Sequence, residues 1–324
     1  MTIKAKLRTV LLAAALGVLA ASSAHAQTYP SKPIRLLVGY AAGGPVDNAV
    51  RRIVPSLSKE LGQTIVVDNR GGAGGALAAD VVAKAEPDGY TLIFMASPTQ
   101  VMTPHMTRSL PFDPLKDFTP IAMTVGFATA LLVNKDFPAR NLAELVAYAK
   151  ANPDKVSFGS AGVGSSNHLA AELLKKETGA QMLHVPYKGN ALALTDVIGG
   201  QISFMFNSIG DSIPYVQGGK VRALAVSSRQ RNRALPDVPA VAESGVSNFD
   251  VTAWYALEGP PRMPRDVVTR LNTAVRKVMT DPAMTKQFSD IGYDVILSTP
   301  EELQRIIQAD FERWKPVAGA IKME

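Results

Sequence analysis

Apolar and polar positions follow two periods along this chain, and the two periods alternate almost throughout. Short apolar runs typical of buried strands occupy residues 34–39, 64–67, 90–96 and 156–159. Amphipathic segments with the spacing of helices follow them, at residues 46–57, 76–85 and 166–178. Strands that alternate with helices favour parallel sheets covered by helices, so the pattern predicts an α/β fold.

The ends of several helices can be predicted from single residues. The first amphipathic helix begins after a glycine turn and ends at Gly62. Asp281 and Thr299 each stand immediately before a proline. Because proline is favoured at the first helical position, both residues are predicted to start helices. The second of these helices presents Leu303, Ile307 and Trp314 on one face.

Two segments predict crossings between separate domains. The apolar run 121–133 is too long for one ordinary strand, and the strand-like residues 223–227 lead into a polar stretch that ends near residue 233. A chain of this length also exceeds one comfortable core. We therefore predict a hinged pair, with residues 27–125 and 230–324 in domain 1 and residues 126–229 in domain 2.

The N-terminal residues predict export from the cytoplasm. Lys4, Lys6 and Arg8 precede an apolar run at 10–21, and Ala24 and Ala26 form a cleavage pattern before Gln27. We expect a signal peptide of residues 1–26 and a periplasmic product. The chain contains 0 cysteines, so we expect neither a lipid anchor nor disulfides.

Charge and spacing argue against nucleic-acid binding and catalysis. The net charge of +6 falls to about +3 without the predicted signal peptide, and no long basic block occurs. His105, His168 and His184 do not have the spacing of a metal pair, and a Gly-x-Ser-x-Gly nucleophile motif is absent. We expect no enzyme activity, no cofactor and no bound metal.

The first strand–turn–helix unit contains the leading candidate for a ligand site. Backbone N–H groups at a helix start attract anions, and glycines let a ligand approach the backbone closely. The candidates are Tyr40, Ala42, Gly43, Gly44 and Asp47. The same loop is also interpretable as a tight turn capped by Asp47, and the two readings are compatible. For Asp47 itself we favour capping, because its carboxylate would repel an anion.

Other strand ends of domain 1 add further candidates. Gly74 and Gly75 belong to a glycine-rich turn that either donates N–H groups to the same anion or serves as a flexible connection. The turn lacks the Gly-Lys-Ser/Thr ending of a nucleotide-binding P-loop. Ser97 and Thr99 follow the strand at 90–96, where ligands of α/β folds gather.

Domain 2 has a counterpart in the small-residue turn at 159–168. Its candidates are Ser160, Gly164, Ser165, Ser166 and His168. The alternative for Ser166 is an N-cap role alone, and His168 is as well explained by packing as by ligand contact. Asn207, after the apolar strand 202–206, is a further polar candidate, whereas we expect Lys188 to be a solvated surface charge.

The order of several motifs resembles the substrate-binding receptors of tripartite tricarboxylate transporters, the Bug or TctC-like family. The motifs are Tyr29-Pro-Ser-Lys-Pro-Ile-Arg35, Gly43-Gly-Pro-Val-Asp47, Val67-Asp-Asn-Arg-Gly-Gly-Ala-Gly-Gly75, Pro87-Asp-Gly-Tyr-Thr-Leu92, Val185-Pro-Tyr-Lys-Gly189, Gly199-Gly-Gln201 and Leu235-Pro-Asp-Val-Pro239. The resemblance implies a two-domain periplasmic binding protein of the Venus flytrap, type II-like class with two crossover strands. It also implies a carboxylate held between the lobes mainly by backbone groups and water.

The resemblance extends to residues and partners. It makes Tyr187 a cleft residue, and a departure from the family pattern at 259–264 draws attention to Trp254 and Tyr255 as possible determinants of ligand preference. The implied function is capture of a small organic carboxylate by a monomer and its delivery to membrane permease subunits. An alternative is a receptor that presents a small carboxylate or amide to a sensor partner.

Overall fold

The computed structural model describes residues 29–107, 109–187 and 189–319. The predicted signal peptide at 1–26 and the predicted surface position of Lys188 lie outside these residues. Within the described residues, six strands form the first sheet: β1 (Ile34–Val38), β2 (Ile65–Asn69), β3 (Thr91–Ala96), β4 (Thr119–Phe127), β10 (Ala253–Gly259) and β11 (Tyr293–Val295). Their spatial order is β11-β4-β10-β3-β1-β2.

Five more strands form the second sheet in the same part of the chain. They are β5 (Thr129–Asn134), β6 (Ser157–Ser160), β7 (Leu183–Pro186), β8 (Phe204–Ser208) and β9 (Val221–Val226), in the order β7-β6-β8-β5-β9. Strand β5, which follows β4 of the first sheet, runs antiparallel to its neighbours in the second sheet. Likewise β10, which follows β9 of the second sheet, runs antiparallel to its neighbours in the first. The sheets are therefore mixed, which corrects the expectation of parallel sheets, while the α/β alternation is confirmed.

Helices cover the sheets. Their bounds are α1 (Pro45–Leu61), α2 (Ala76–Ala83), α3 (Thr103–Met106), α4 (Leu142–Ala151), α5 (Ser166–Thr178), α6 (Asn190–Ile198), α7 (Ile209–Gln217), α8 (Arg265–Met279), α9 (Pro282–Ser289) and α10 (Pro300–Ala318). We call the first sheet with α1–α3 and α8–α10 the first lobe, and the second sheet with α4–α7 the second lobe.

The predicted helix boundaries at the C-terminal end are confirmed. Asp281 accepts hydrogen bonds from the amides of Ala283 and Met284 at the start of α9. Thr299 accepts from the amide of Glu302, whose carboxylate in turn accepts from the amide of Thr299. This capping box satisfies donors that the helix itself leaves unpaired.

The chain passes between the two sheets at two places. Ala128 alone separates β4 from β5, and residues 227–252 connect β9 to β10. Ser227 joins the two passages, because its Oγ accepts from the amide of Thr129 at 2.9 Å and donates to the carbonyl of Val251 at 2.7 Å. Leu235 packs in the core of the second sheet, although the predicted boundary at 229 assigns it to domain 1. The domain boundaries stay predictions.

One hydrophobic cluster runs across both lobes. It combines Leu131 and Phe158 of the second lobe with Met123, Leu303 and Trp314 of the first. The long helix α10 supplies much of the first-lobe side and packs against α5. In the three described ranges, no helix is both long and apolar enough to cross a membrane.

Candidate functional site

A cavity of about 190 Å³ lies between the two lobes. It opens where β1, β3, β6 and β8 end and the following segments begin, which is where α/β folds bind ligands. The first lobe contributes Tyr40, Pro45, Val46, Ala96, Tyr255 and Tyr293. The second lobe contributes Ser165, Ser166, Asn167, Gly189, Asn190 and Ser208. Phe127 and Thr129, on either side of the first passage between sheets, complete the contact between the two halves.

A larger hollow of about 540 Å³ borders the passages between the lobes. It shares Phe127 and Tyr293 with the cavity, and the loop from Ser228 to Arg233, in which Asn232 is buried, forms much of its wall. Among the described helices, only α9 places its first turn, at Thr285, in this wall. The smaller cavity is the better candidate site, because strand ends and helix starts converge there.

The glycine loop before α1 uses hydrogen-bond donors of its own backbone to bind the first turn of that helix. Asp47 lies in the first turn of α1, not at the N-cap, which is Gly44. Its carboxylate accepts from the amide of Gly43 at 2.8 Å and from Arg51 Nε at 2.8 Å. Burial opposes ionisation of Asp47, but the hydrogen bonds from Arg51 and Gly43 outweigh it and hold the pKa below its usual value. The predicted N-cap position of Asp47 is thus corrected, while a stabilising role at the helix start remains.

The loop consequently offers fewer free donors than the sequence predicted. The amide of Gly44 donates to the carbonyl of Ala41 at 3.2 Å, and that of Gly43 is taken by Asp47. Ala42, Gly43, Gly44 and Asp47 do not line the cavity. Instead Tyr40 and the first turn of the helix at Pro45 and Val46 face it.

A second glycine turn supports Tyr40 from behind. Thr99 Oγ1 donates to the carbonyl of Gly74 at 2.7 Å, and the Tyr40 hydroxyl is 3.0 Å from Thr99 Oγ1. Gly75 has φ +94°, and a Cβ placed there would lie 2.4 Å from Thr99 Oγ1. Gly74, Gly75 and Thr99 therefore fix the position of Tyr40 and do not line the cavity themselves.

Two predicted residues, Ser97 just after β3 and Trp254 in the neighbouring strand β10, do not line the cavity. Ser97 Oγ accepts from the amide of Trp254 at 3.1 Å, which ties the end of β3 to β10. The indole N–H of Trp254 donates to Asp310 Oδ2 of α10 at 2.8 Å, and the ring is only 3% exposed. Tyr255 is the β10 residue that lines the cavity, because adjacent residues of a strand point to opposite faces.

The second-lobe turn supplies the polar side of the cavity. Ser165 is the N-cap of α5, and its Oγ donates to the carbonyl of Gly162 at 2.6 Å. Asn167 Nδ2 donates to Asn190 Oδ1 at 2.8 Å, which joins the starts of α5 and α6. Sequence reasoning identified Ser165 and Ser166 but missed both asparagines. Asn190 directly follows the motif that ends at Gly189, and this position was the available signal.

Stacked histidines hold this turn in place. The rings of Phe158, His184 and His168 stack with centroid separations of 4.9 Å and 3.9 Å. His184 Nε2 lies 2.6 Å from Ser160 Oγ, and His168 Nδ1 accepts from the amide of Gly164 at 3.1 Å. Burial lowers the pKa of His168 to about 3 and that of His184 to about 4, so both rings are neutral at neutral pH. The predicted candidates among them, Ser160, Gly164 and His168, therefore support the turn from outside the cavity lining.

Tyr187 and Asn207 are likewise held by contacts outside the cavity. The Tyr187 hydroxyl donates to Asp196 Oδ2 at 2.5 Å, and its ring packs in the second-lobe core. Asn207 Nδ2 donates to Ser212 Oγ at 3.1 Å. The neighbouring residue, Ser208, lines the cavity in its place.

An aromatic wall closes the first-lobe side. The rings of Phe127 and Tyr293 stack at 4.8 Å with an interplanar angle of 17°, and Tyr255 lies 4.9 Å from Phe127. All three residues are less than a tenth exposed. The sequence did not predict Phe127 or Tyr293 as site residues, because nothing in the neighbouring residues distinguishes either of them from an ordinary core aromatic.

Helix starts converge on the opposite side. Residues at the starts of α5, α6 and α7 line the cavity, and α1 adds its first turn from the first lobe. The first N–H groups of a helix have no acceptor within that helix and carry a partial positive charge. None of the described residues lining the cavity is charged. The arrangement therefore suits an anion held by neutral donors, next to an apolar surface.

Comparison with known proteins agrees with this architecture. A model of the tripartite tricarboxylate transporter family receptor matches residues 49–323. The periplasmic binding protein BugD is 34% identical with a TM-score of 0.80, over 91% of this chain and 100% of that structure. Two further similar structures come from Rhodopseudomonas palustris.

One of these, Rpa4515 with adipate, is 33% identical with a TM-score of 0.83, over 91% of this chain and 99% of that one. The other, MatC with bound malate, is 33% identical with a TM-score of 0.80, over 90% of this chain and 100% of that structure. The similarity to the periplasmic binding protein BugD confirms the predicted two-lobe fold class. The matching family is one of receptors, in agreement with the predicted lack of catalysis. The chain belongs to the receptor family of the tripartite tricarboxylate transporters.

Proposed function

We propose that the protein captures a small organic carboxylate between its lobes in the periplasm and delivers it to a tripartite tricarboxylate transporter. The observation that carries this proposal is the cavity between the lobes, where the starts of α1, α5, α6 and α7 meet without a charged side chain among the described lining residues. Such donors stabilise a carboxylate without a neutralising arginine. The adipate and malate in two similar structures support the same ligand class.

Delivery requires the permease to recognise the loaded receptor. A ligand that contacts both lobes stabilises the closed arrangement, because only that arrangement offers both sets of contacts. The two passages between the sheets, joined at Ser227, are the segments about which the lobes would move. Membrane subunits that bind the closed form then receive occupied receptors in preference to empty ones.

The binding step is tested by adding a negative charge to the cavity. Asn190→Asp places a carboxylate beside the bound one, so we expect at least about a tenfold loss of affinity for small carboxylates. Asn248→Asp adds the same charge at an exposed position and serves as the matched control. Binding is measured by calorimetry on protein freed of co-purified ligand, against a panel of acids and their neutral amides.

Three results would contradict the binding proposal: no acid binds, amides bind as well as acids, or the two variants behave alike. The delivery step needs a separate measurement, namely uptake of the labelled acid by cells with and without this chain. Tight binding with unchanged uptake would contradict delivery and favour a receptor that serves a sensor.

A further inference from the structure

We propose that the preferred occupant of the cavity is a compact aromatic monocarboxylate, with one ring and one carboxylate, and not a di- or tricarboxylate. This proposal rests on the carboxylate-binding function proposed above and narrows its ligand class. Two features of the cavity carry it: the volume and the division of the lining into an apolar and a polar half.

The volume limits the occupant to a single small ring. A dry cavity of about 150 Å³ in a protein core accepts one benzene molecule. The present cavity measures about 190 Å³, which leaves room for one ring and one carboxylate group. Size alone does not separate such an acid from a short dicarboxylate, so the lining decides between them.

The apolar half is matched to a ring. Phe127, Tyr255 and Tyr293 form a continuous aromatic wall, and Val46 and Ala96 extend it. Aromatic rings pack favourably against one another in edge-to-face or offset geometry, beyond the gain from burying their area. A second carboxylate pressed against the ring faces and the Val46 and Ala96 side chains would lose water that these apolar surfaces do not replace.

The polar half is matched to one carboxylate. Ser208 is only 8% exposed and lines the cavity, yet its hydroxyl has no hydrogen-bond partner among the described residues. It stands at the N-cap of α7, whereas Ser166 and Asn190 are the first residues of α5 and α6. An unpaired hydroxyl that faces the cavity, at a point where three helix starts meet, is a donor available to a ligand.

The ranking of ligands tests the proposal directly. Calorimetry on ligand-free mature protein compares benzoate with malate, adipate and citrate, and with benzamide as the neutral ring. We expect benzoate to bind at least about tenfold more tightly than each of the other four. Malate, adipate or citrate binding as tightly as benzoate would overturn the proposal but leave the carboxylate-binding function intact. Failure of every acid to bind would refute that function as well.

Variants separate the ring from the carboxylate. Tyr293→Leu removes a ring of the wall, so the preference for benzoate over acetate should fall by at least about fivefold, while Tyr293→Phe should retain it. Ser208→Ala should weaken benzoate and acetate together by about fivefold to tenfold, and Ser56→Ala, at an exposed position, should change neither. An unchanged benzoate-to-acetate ratio in folded Tyr293→Leu would contradict the assignment. If that variant does not fold, the ligand ranking and Ser208→Ala still decide the question.

Discussion

At the scale of single residues, Glu258 is the most unusual group in the first lobe. It is fully buried in β10, and the only hydrogen-bond partner of its carboxyl group among the described residues is Gln100, whose Nε2 donates to Glu258 Oε2 at 2.9 Å. Glu258 Oε1 and Gln100 Oε1 are both buried without a partner. Burial raises the pKa of Glu258 to about 8, so the folded protein carries a neutral carboxylic acid there at neutral pH. The proton turns one of the two carboxyl oxygens into a donor.

This proton makes stability depend on pH. The pKa of an unfolded glutamic acid is about 4.3, so folding takes up a proton between that pH and about 8. The free energy of unfolding should therefore fall as the pH rises through this window, by up to about 1.4 kcal/mol per pH unit from this group. Glu258→Gln removes the titration and should flatten the profile.

Urea unfolding at pH 5.5, 6.5 and 7.5 measures the effect as the difference between Glu258→Gln and the wild type. The comparison cancels the opposite contribution of His168 and His184, whose lowered pKa values make the protein less stable as the pH falls below about 6.5. Parallel profiles for the two proteins would show that Glu258 is ionised in the folded state.

At the scale of secondary-structure elements, two adjacent residues of one strand have different roles: one holds neighbouring elements in place, and the other faces the ligand cavity. In β10, Trp254 points to α10 and Tyr255 to the cavity; in β8, Asn207 points to Ser212 and Ser208 to the cavity. The sequence predicted the end of β8 but placed the polar candidate there one residue too early, and near β10 it drew attention to Trp254 and Tyr255 together without separating their roles. Both faces of these strands are buried, so no alternation of polar and apolar residues indicates which face meets the ligand.

The assignment of Trp254 to support predicts the effect of its substitution. Trp254→Phe removes the hydrogen bond to Asp310 and leaves a mostly buried carboxylate with fewer donors, so we expect a loss of about 1–3 kcal/mol in unfolding free energy. Ligand affinity should stay within about twofold of the wild type, because the ring is outside the cavity lining. Urea unfolding and calorimetry measure the two quantities. A large loss of ligand affinity with little loss of unfolding free energy would instead show that Trp254 contacts the ligand.

At the scale of the whole molecule, the lobes are joined by two chain segments and are also packed against each other. Two passages connect the sheets, while the hydrophobic cluster around α10 and α5 fills the space between the lobes on one side. The cavity, with its 190 Å³, is where the two lobes leave room between them. Closure should therefore be a rotation that narrows the cavity and preserves the packed side, since a packed core resists deformation.

Small-angle X-ray scattering with and without a saturating ligand tests this movement. We expect a smaller radius of gyration in the presence of ligand, because contacts with both lobes stabilise the closed form. At a ligand concentration just sufficient to saturate the wild type, Asn190→Asp, with its affinity lowered by at least about tenfold, should show a smaller change in radius. Identical scattering of the wild type with and without a ligand that binds tightly would contradict closure as the signal to the membrane subunits.

The sequence alone determined the elements of this protein and its family. The sequence shows local properties directly: the period of hydrophobic residues, the positions of proline and glycine, and the helix caps. These properties predicted the strand–helix alternation, the starts of α9 and α10 and the first passage between the sheets. Which of the candidate residues face the cavity was decided only by the tertiary structure. Asp47 takes the Gly43 amide, the histidine stack holds the Gly164 turn, and aromatic residues far apart in the chain form one wall. These outcomes depend on which donors find partners after packing, and a linear pattern does not contain that information.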